Sequence, residues 1–248
     1  MGNAVVHFEI GGPDDAPLIA FYGQLFGWKL QSFEGGGYTM IDTNGGGGIN
    51  GGIGKSQTGE PWSTFYVEAE DLQAVLDKAE SLGAKTVMPV TDFGGAVTIA
   101  MFNDPDGLLV GIVKAADPAQ GEAPGPSAGT GEPVDWFEVL GSDPSRTQRF
   151  YAELFGWTVE GGGGGIPSYA MASTGAGRGI QGGLGSSTDA KWATIYASVA
   201  DVEQTLAKAE SLGGSRIYGP VSVDDHMQTG GFRDPAGNVF GVYHHGEH

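Results

Sequence analysis

The chain has 248 residues, no cysteine and a formal net charge of -18 at pH 7, because 30 acidic residues outnumber 12 lysines and arginines. This acidic balance disfavours binding to nucleic acid, anionic membrane surfaces and polyanionic substrates. The lack of cysteine excludes disulfides, thiolate nucleophiles and zinc–thiolate sites. The start has no leader pattern and no run of about 18 apolar residues occurs, so we expect a cytoplasmic protein with no membrane partner.

The first predicted elements follow a βαβββ pattern. Residues 5–10 alternate between apolar and polar, so that His7 and Glu9 share one face of a strand. An amphipathic helix follows, from an acidic start at residues 14–15 to Gly27. Three short strands separated by glycine-rich turns complete the pattern, near residues 28–30, 38–41 and 49–53.

A second βαβββ pattern follows directly. Trp62 and Tyr66 lie on one face of an alternating strand, and Asp71 caps a helix that ends at Gly83. Further strands are predicted over residues 85–90, 97–102 and 108–113. Residues 115–133 are rich in proline, glycine and acidic residues, which is the composition of a linker.

The second half of the chain repeats the first. The motif FYGQLFGW at residues 21–28 returns as FYAELFGW at residues 150–157, and AESLG at 79–83 returns at 209–213. The turn FNDPDG at 102–107 returns as FRDPAG at 232–237. The repeat predicts two domains, residues 1–114 and 134–245, joined by the 115–133 linker and followed by a tail at 246–248.

In their order and doubling, these motifs resemble the vicinal oxygen chelate superfamily, which includes glyoxalase I, bleomycin-resistance proteins and extradiol dioxygenases. The resemblance covers both halves of the chain. It implies an α+β fold of tandem βαβββ modules, with two glyoxalase-like domains. Each would be a U-shaped, partly open mixed β-sheet barrel covered by helices. It also implies a small-molecule ligand, and a monomer and a homodimer are both compatible with it.

Superfamily members that do chemistry usually hold a divalent metal on the concave sheet face. The resemblance places the ligand positions of the two domains at His7, Trp62 and Gly111, and at Trp136, Trp192 and Gly241. Indole and glycine side chains cannot ligate a cation, so His7 is the only retained ligand. We therefore expect no cofactor, and a divalent metal is disfavoured.

Five aromatic residues are predicted to line the same face: Trp62, Tyr66, Trp136, Trp192 and Tyr196. Two interpretations stay open, in which the rings contact a ligand or fill the barrel as core. Glu9 and Glu138 share that face and would be general bases if an apolar pocket raised their pKa. Alternatively, they are buried carboxylates that accept hydrogen bonds from backbone or tyrosine.

Three functional hypotheses follow. The first is a binding protein whose concave cavities take a small, partly aromatic or apolar molecule without metal. The second is a lyase, or an oxygenase or hydroxylase, that uses His7 with a metal or uses Glu9 or Glu138 as an acid–base catalyst. In the third, the second domain is structural and any activity belongs to the first.

Overall fold

A computed structural model describes residues 2–33, 36–56, 58–115, 125–161, 168–187 and 190–246. Module 1 consists of β1 (Val5–Gly12), α1 (Ala16–Phe26), β2 (Lys29–Ser32), β3 (Tyr38–Asp42) and β4 (Asn50–Lys55). Module 2 consists of β5 (Trp62–Ala69), α2 (Leu72–Ser81), β6 (Lys85–Asp92), β7 (Thr98–Asn103) and β8 (Leu109–Lys114). Module 3 consists of β9 (Val134–Gly141), α3 (Pro144–Phe155), β10 (Thr158–Gly161), β11 (Ala170–Ser173) and β12 (Gln181–Ser186). Module 4 consists of β13 (Trp192–Ser198), α4 (Val202–Ser211), β14 (Ser215–Ser222), β15 (Met227–Arg233) and β16 (Val239–His245).

The predicted α+β fold of four βαβββ modules is confirmed. The strands form two eight-stranded sheets, in the orders β2-β3-β4-β1-β5-β8-β7-β6 and β10-β11-β12-β9-β13-β16-β15-β14. Both sheets are mixed, because β5 pairs parallel with β8 and β13 pairs parallel with β16, whereas the outer pairs are antiparallel. The two halves of the chain therefore build the same sheet twice.

The helix ends follow the sequence signals. Asp71 and Asp201 each accept a hydrogen bond from the backbone N–H three residues later, at 3.0 and 2.9 Å, which satisfies a donor at the start of α2 and α4. Gly27 and Gly156 end α1 and α3 with φ of 68° and 69°, a left-handed conformation that glycine adopts without strain. Local chemistry thus sets the starts of α2 and α4 and the ends of α1 and α3, whereas Asp15 at the start of α1 makes no side-chain capping hydrogen bond.

By its internal contacts the chain divides into two compact units. Unit 1 comprises Met1–His7, Thr64–Pro124 and Phe137–Ala193, and unit 2 comprises Phe8–Ser63, Gly125–Trp136 and Thr194–His248. Unit 1 thus draws mainly on modules 2 and 3, and unit 2 on modules 1 and 4. The division at residues 1–114 and 134–245 describes the sequence repeat; as a statement about folding domains it stays a prediction.

Each unit contains one buried tyrosine–aspartate hydrogen bond between its two modules. In unit 1 the Tyr151 hydroxyl of α3 donates to Asp104 at 3.0 Å, and in unit 2 the Tyr22 hydroxyl of α1 donates to Asp234 at 3.1 Å. Burial raises the pKa of both aspartates, although backbone N–H donors and the tyrosine hydroxyls oppose the rise. The repeated Asp-Pro turn therefore ties a helix from one half of the chain to a turn from the other.

The tryptophans of the repeated motif have a matching role. The Trp28 ring stacks on Tyr22 at 5.6 Å, and its indole N–H donates to the Glu132 carbonyl at 2.8 Å. The Trp157 N–H likewise donates to the carbonyl of Asn3 at 2.7 Å. Each ring thus holds the segment that leads into the first strand of a sheet.

The described part of the predicted linker is attached to module 1. The Ser127 backbone N–H and hydroxyl both donate to Asp42, at 2.9 and 2.6 Å, and the Gly131 N–H donates to the Asn44 carbonyl. Residues 116–124 lie outside the described residues. Among the described helices, none is both long enough and apolar enough to cross a membrane.

Candidate functional site

The candidate residues lie on the sheet faces opposite the helices. In β1, Phe8 and Ile10 are fully buried, whereas His7 and Glu9, which alternate with them, are half-buried. In β5, Phe65 packs on Phe137 in the aromatic core, so that Trp62 and Tyr66 point to the other face. We call this second face of each sheet the helix-free face. The alternation predicted from the sequence is seen from His7 to Ile10 in β1, whereas β5 is buried on both faces from Thr64 to Ala69.

His7 packs against Tyr66 in unit 1. Their ring centroids are 5.8 Å apart and the planes are inclined at 66°, an edge-to-face arrangement. Loss of hydration lowers the pKa of His7 to about 4, so that the imidazole is neutral at pH 7. The Tyr66 ring is only 2% exposed and lies over Gly111, its partner in the parallel β5–β8 pair. A Cβ on Gly111 would clash with this ring.

Unit 2 has no histidine at the corresponding place, because Trp136 stands in β9 where His7 stands in β1. Tyr196, 5% exposed, lies over Gly241 as Tyr66 lies over Gly111. Its hydroxyl is 3.0 Å from that of Tyr218, which lies 3.4 Å from the Thr229 hydroxyl. In unit 1 the Tyr66 hydroxyl meets the Met101 sulfur at 3.9 Å.

Glu9 belongs to a cluster in unit 2 with Tyr38 and Trp62, which we call the Glu9 cluster. The Tyr38 hydroxyl donates to Glu9, and burial together with the nearby carboxylate raises the Tyr38 pKa above its usual value. Tyr38 therefore keeps its proton and acts as a donor. The half-buried Trp62 ring lies over Gly11 and approaches Gly54.

Glu138, Tyr169 and Trp192 form the equivalent cluster in unit 1, the Glu138 cluster. Glu138 is 9% exposed and accepts a hydrogen bond from the indole N–H of half-buried Trp192 at 2.8 Å. The Tyr169 hydroxyl end lies over Gly183, as that of Tyr38 lies over Gly52. Both units thus place a carboxylate, a phenol and an indole together on the helix-free face.

The side chains at the implied ligand positions do not fit a chelated divalent cation. His7 offers one imidazole nitrogen, but Trp62, Trp136 and Trp192 offer only N–H donors. Rings cover the glycine positions in β8 and β16, so a ligating side chain there would collide with an aromatic residue. Over the residues that the structure describes, no group of three or more His, Cys, Asp or Glu side chains is arranged to hold a metal.

The sequence reasoning missed the tyrosines of both clusters and Tyr218. Tyr38 and Tyr169 each follow a glycine-rich segment and occupy equivalent places in the repeat. The available signal was a tyrosine at the same place in both copies, followed in the next strand by the same Gly-Gly pair, over which its hydroxyl end lies in the structure. The predicted site residues Trp62, Tyr66, Trp136, Trp192 and Tyr196 remain predictions as ligand contacts.

Two family models match the chain. The model described as the Glyoxalase/Bleomycin resistance protein/Dioxygenase superfamily matches residues 4–112, and one described as a Glyoxalase-like domain matches residues 137–243. The chain belongs to the glyoxalase/bleomycin resistance protein/dioxygenase superfamily. The superfamily match therefore covers both halves of the repeat.

Relatives within this superfamily match nearly the whole chain. "Putative glyoxylase CFP32" of Mycobacterium tuberculosis is 28% identical over 249 residues, covering 92% of this chain and 90% of the relative. "Anthracycline biosynthesis protein DauV" of a Streptomyces species is 27% identical over 262 residues, covering 97% and 92%.

Solved structures with the superfamily fold include a Mn(II)-bound glyoxalase from Novosphingobium aromaticivorans. Its TM-score is 0.67 at 14% identity, covering 99% of this chain and 84% of that one. The 2,3-dioxygenase LapB from Pseudomonas sp. KL28 has a TM-score of 0.65 at 15% identity, covering 100% and 94%. At such identities the likeness concerns the fold alone.

Proposed function

We propose that the protein binds a small, partly aromatic, non-anionic molecule on the helix-free face, without a divalent metal. The proposal rests on which residues occupy the positions where the superfamily usually has its metal ligands. Gly111 and Gly241 lie beneath the rings of Tyr66 and Tyr196, where a ligating side chain would otherwise stand. His7 is the one imidazole at these positions, and a single protein ligand is too few to hold a catalytic metal.

The chemistry of the two clusters indicates the ligand class. The Trp62 and Trp192 rings keep part of their surface exposed, and an aromatic ligand gains by stacking on such rings. Glu9 and Glu138 beside them supply acceptors for a hydroxyl or N–H group of the ligand. The net charge of -18 disfavours an anion. The anthracycline name of one relative is compatible with a polycyclic aromatic ligand.

Thermal stability in the presence of aromatic compounds tests this function. Wild-type protein with a neutral dihydroxyanthraquinone, at about 100 times its dissociation constant, should melt roughly 5 °C or more higher. The Trp62→Ala/Trp192→Ala variant should lose this rise. A Phe93→Ala variant, which truncates a half-exposed ring in the β6–β7 turn, should keep it. The proposal fails if a panel of such compounds gives no rise or if the double variant keeps it.

A second candidate function is acid–base catalysis by a glyoxalase-like lyase. The placement of Glu9 beside the Tyr38 hydroxyl favours it, because a held carboxyl group is suited to proton transfer. The name of the mycobacterial relative points the same way. The test is turnover of the methylglyoxal–glutathione hemithioacetal: activity in wild type that Glu9→Gln and Glu138→Gln remove would establish this function instead. The metal-dependent alternative would be favoured by two results together. Divalent metal would restore activity to metal-depleted wild type, and His7→Ala, but neither glutamate variant, would remove that activity.

A further inference from the structure

The indoles of Trp62 and Trp192 occupy equivalent positions in the repeat but take different poses. In unit 2 the nitrogen-bearing edge of the Trp62 ring lies over Gly11, and its far edge lies 3.3 Å from where a Cβ on Gly54 would stand. In unit 1 the Trp192 N–H donates to Glu138 at 2.8 Å. One ring lies on glycines, and the other is held by a carboxylate.

One residue difference lies at the place where the two poses diverge. Leu140 stands in β9 where Gly11 stands in β1, two residues after the glutamate in each strand. The Leu140 Cδ2 atom lies 3.0 Å from where a Cβ on Gly185 would stand, and Gly185 is the equivalent of the second glycine beneath Trp62. The leucine, together with the Tyr169 ring whose Cδ2 atom lies 2.9 Å from the same point, covers the surface on which an indole would otherwise lie. Trp192 is excluded from that surface, and its N–H reaches the carboxylate instead.

We propose that the Gly11/Leu140 difference sets the indole pose in each unit, and that Glu138 positions Trp192 so that unit 1 is the tighter of two unequal binding sites. The claim of unequal affinity rests on the proposed ligand-binding function, whereas the claim about the indole poses does not. Glu138 acts here through Trp192 and is a positioning residue.

The affinity difference follows from preorganisation. A ring that a hydrogen bond already fixes loses less conformational freedom when a ligand stacks on it. The 2.8 Å distance from the Trp192 indole nitrogen to the Glu138 oxygen is that of a well-formed hydrogen bond, so the Trp192 pose is well defined. The Trp62 ring is held by packing on the backbone of Gly11 and Gly54. A ligand that stacks on an indole in the Trp192 pose must first move the Trp62 ring away from these glycines. Unit 1 therefore binds first as ligand is added.

The indole N–H resonances report the poses without any ligand. In ¹H–¹⁵N spectra the Trp192 signal, assigned with Trp192→Phe, should shift in Leu140→Gly and in Glu138→Leu. It should stay near its wild-type position in Glu138→Gln, because the amide oxygen still accepts the bond. In Gly11→Leu the new side chain would meet the Trp62 ring, so the Trp62 signal should move toward the wild-type Trp192 position. Leu140→Ala serves as a milder variant if Leu140→Gly folds poorly.

Titration with a dihydroxyanthraquinone tests the consequence for affinity. Wild type should show two sites of unequal affinity, and Glu138→Leu should weaken the tighter one about tenfold. Glu138→Gln should restore most of that affinity, and Gly11→Leu should tighten the weaker site. A tighter site that Glu138→Leu leaves unweakened would overturn the positioning role of Glu138.

The outcomes separate the two claims. An unchanged Trp192 signal in both Leu140→Gly and Glu138→Leu overturns the account of the poses. Signals that move as expected beside two equal binding sites, or a tighter unit 2, overturn the ranking. If wild type binds no aromatic compound, the proposed function and the ranking both fail, while the resonances still decide what sets the poses.

Discussion

The two units are held together internally by the same two kinds of hydrogen bond. In unit 1 the Tyr151 hydroxyl donates to Asp104, and the Lys78 ammonium donates to a carbonyl in the last turn of α3. In unit 2 the Tyr22 hydroxyl donates to Asp234, and the Lys208 ammonium donates to a carbonyl in the last turn of α1. These matched contacts join a helix from one half of the chain to a module from the other. The two units therefore share one frame, built from residues that the sequence repeats.

The two units differ where equivalent positions of the repeat carry different residues. Asp106 in unit 1 accepts hydrogen bonds from Arg146 and from the Ser142 hydroxyl, whereas an alanine stands at the equivalent position 236. Arg178 pairs with Glu68 in unit 1, where unit 2 has serine at the position of Glu68. Repeated residues thus make the same contacts in both units, and unmatched residues make contacts that only one unit has.

The largest expected effect concerns the shared frame. Asp104→Ala and Asp234→Ala should each lower the free energy of unfolding by about 3 kcal/mol, because each strands a buried tyrosine hydroxyl and several N–H donors. Urea denaturation measures this loss. Asp225→Ala, on an exposed turn, is the control and should change little. A large loss in one unit and none in the other would show that the frame is not shared.

A smaller effect separates the units by their response to acid. Burial alone would raise the Asp106 pKa, but bonds from Ser142 and Arg146 outweigh it and hold the pKa below its usual value. The stabilisation is therefore present above about pH 4 and is lost as the pH falls through the lowered value. Asp106→Ala should cost about 1 to 2 kcal/mol at pH 7 and less near pH 2. If Asp106→Ala lowered the free energy of unfolding equally at pH 7 and pH 2, the charge of Asp106 would not contribute to stability.

A third effect concerns one ionisable difference between the helix-free faces, His7 in β1 against Trp136 in β9. Since the His7 pKa falls from 6.5 to about 4 on folding, the unfolded chain binds the proton first as the pH drops. Stability should therefore decrease between pH 6.5 and pH 4, and His7→Gln should flatten that decrease. The same change at exposed His226 is the control. A pH profile identical in His7→Gln and wild type would contradict the burial of a neutral imidazole.

The sequence alone predicted those features that depend on residues close together in the chain. Asp71 as a cap, Gly27 as a helix end and the alternation of His7 and Glu9 with Phe8 all depend on neighbours in the chain, and all were predicted correctly. Periodicity carries that information because each pattern is complete within a few residues.

Long-range pairings escaped the sequence analysis. The hydrogen bond between Tyr22 and Asp234 joins residues 212 positions apart, and no local pattern shows which module a helix will cover. The pose of Trp192 depends on Leu140, a strand residue that reads only as an apolar position until its neighbour Gly185 is known. The sequence analysis identified candidate residues by their side-chain type. The residues that they contact could be identified only from the three-dimensional structure.

Titration calorimetry of metal-depleted protein with a dihydroxyanthraquinone tests most directly whether the helix-free faces bind an aromatic molecule without metal. The account predicts binding that is unchanged by a chelator, is kept in His7→Ala, and is lost in Trp62→Ala/Trp192→Ala. Binding that appears only after stoichiometric divalent metal is added, and that disappears in His7→Ala, would contradict it.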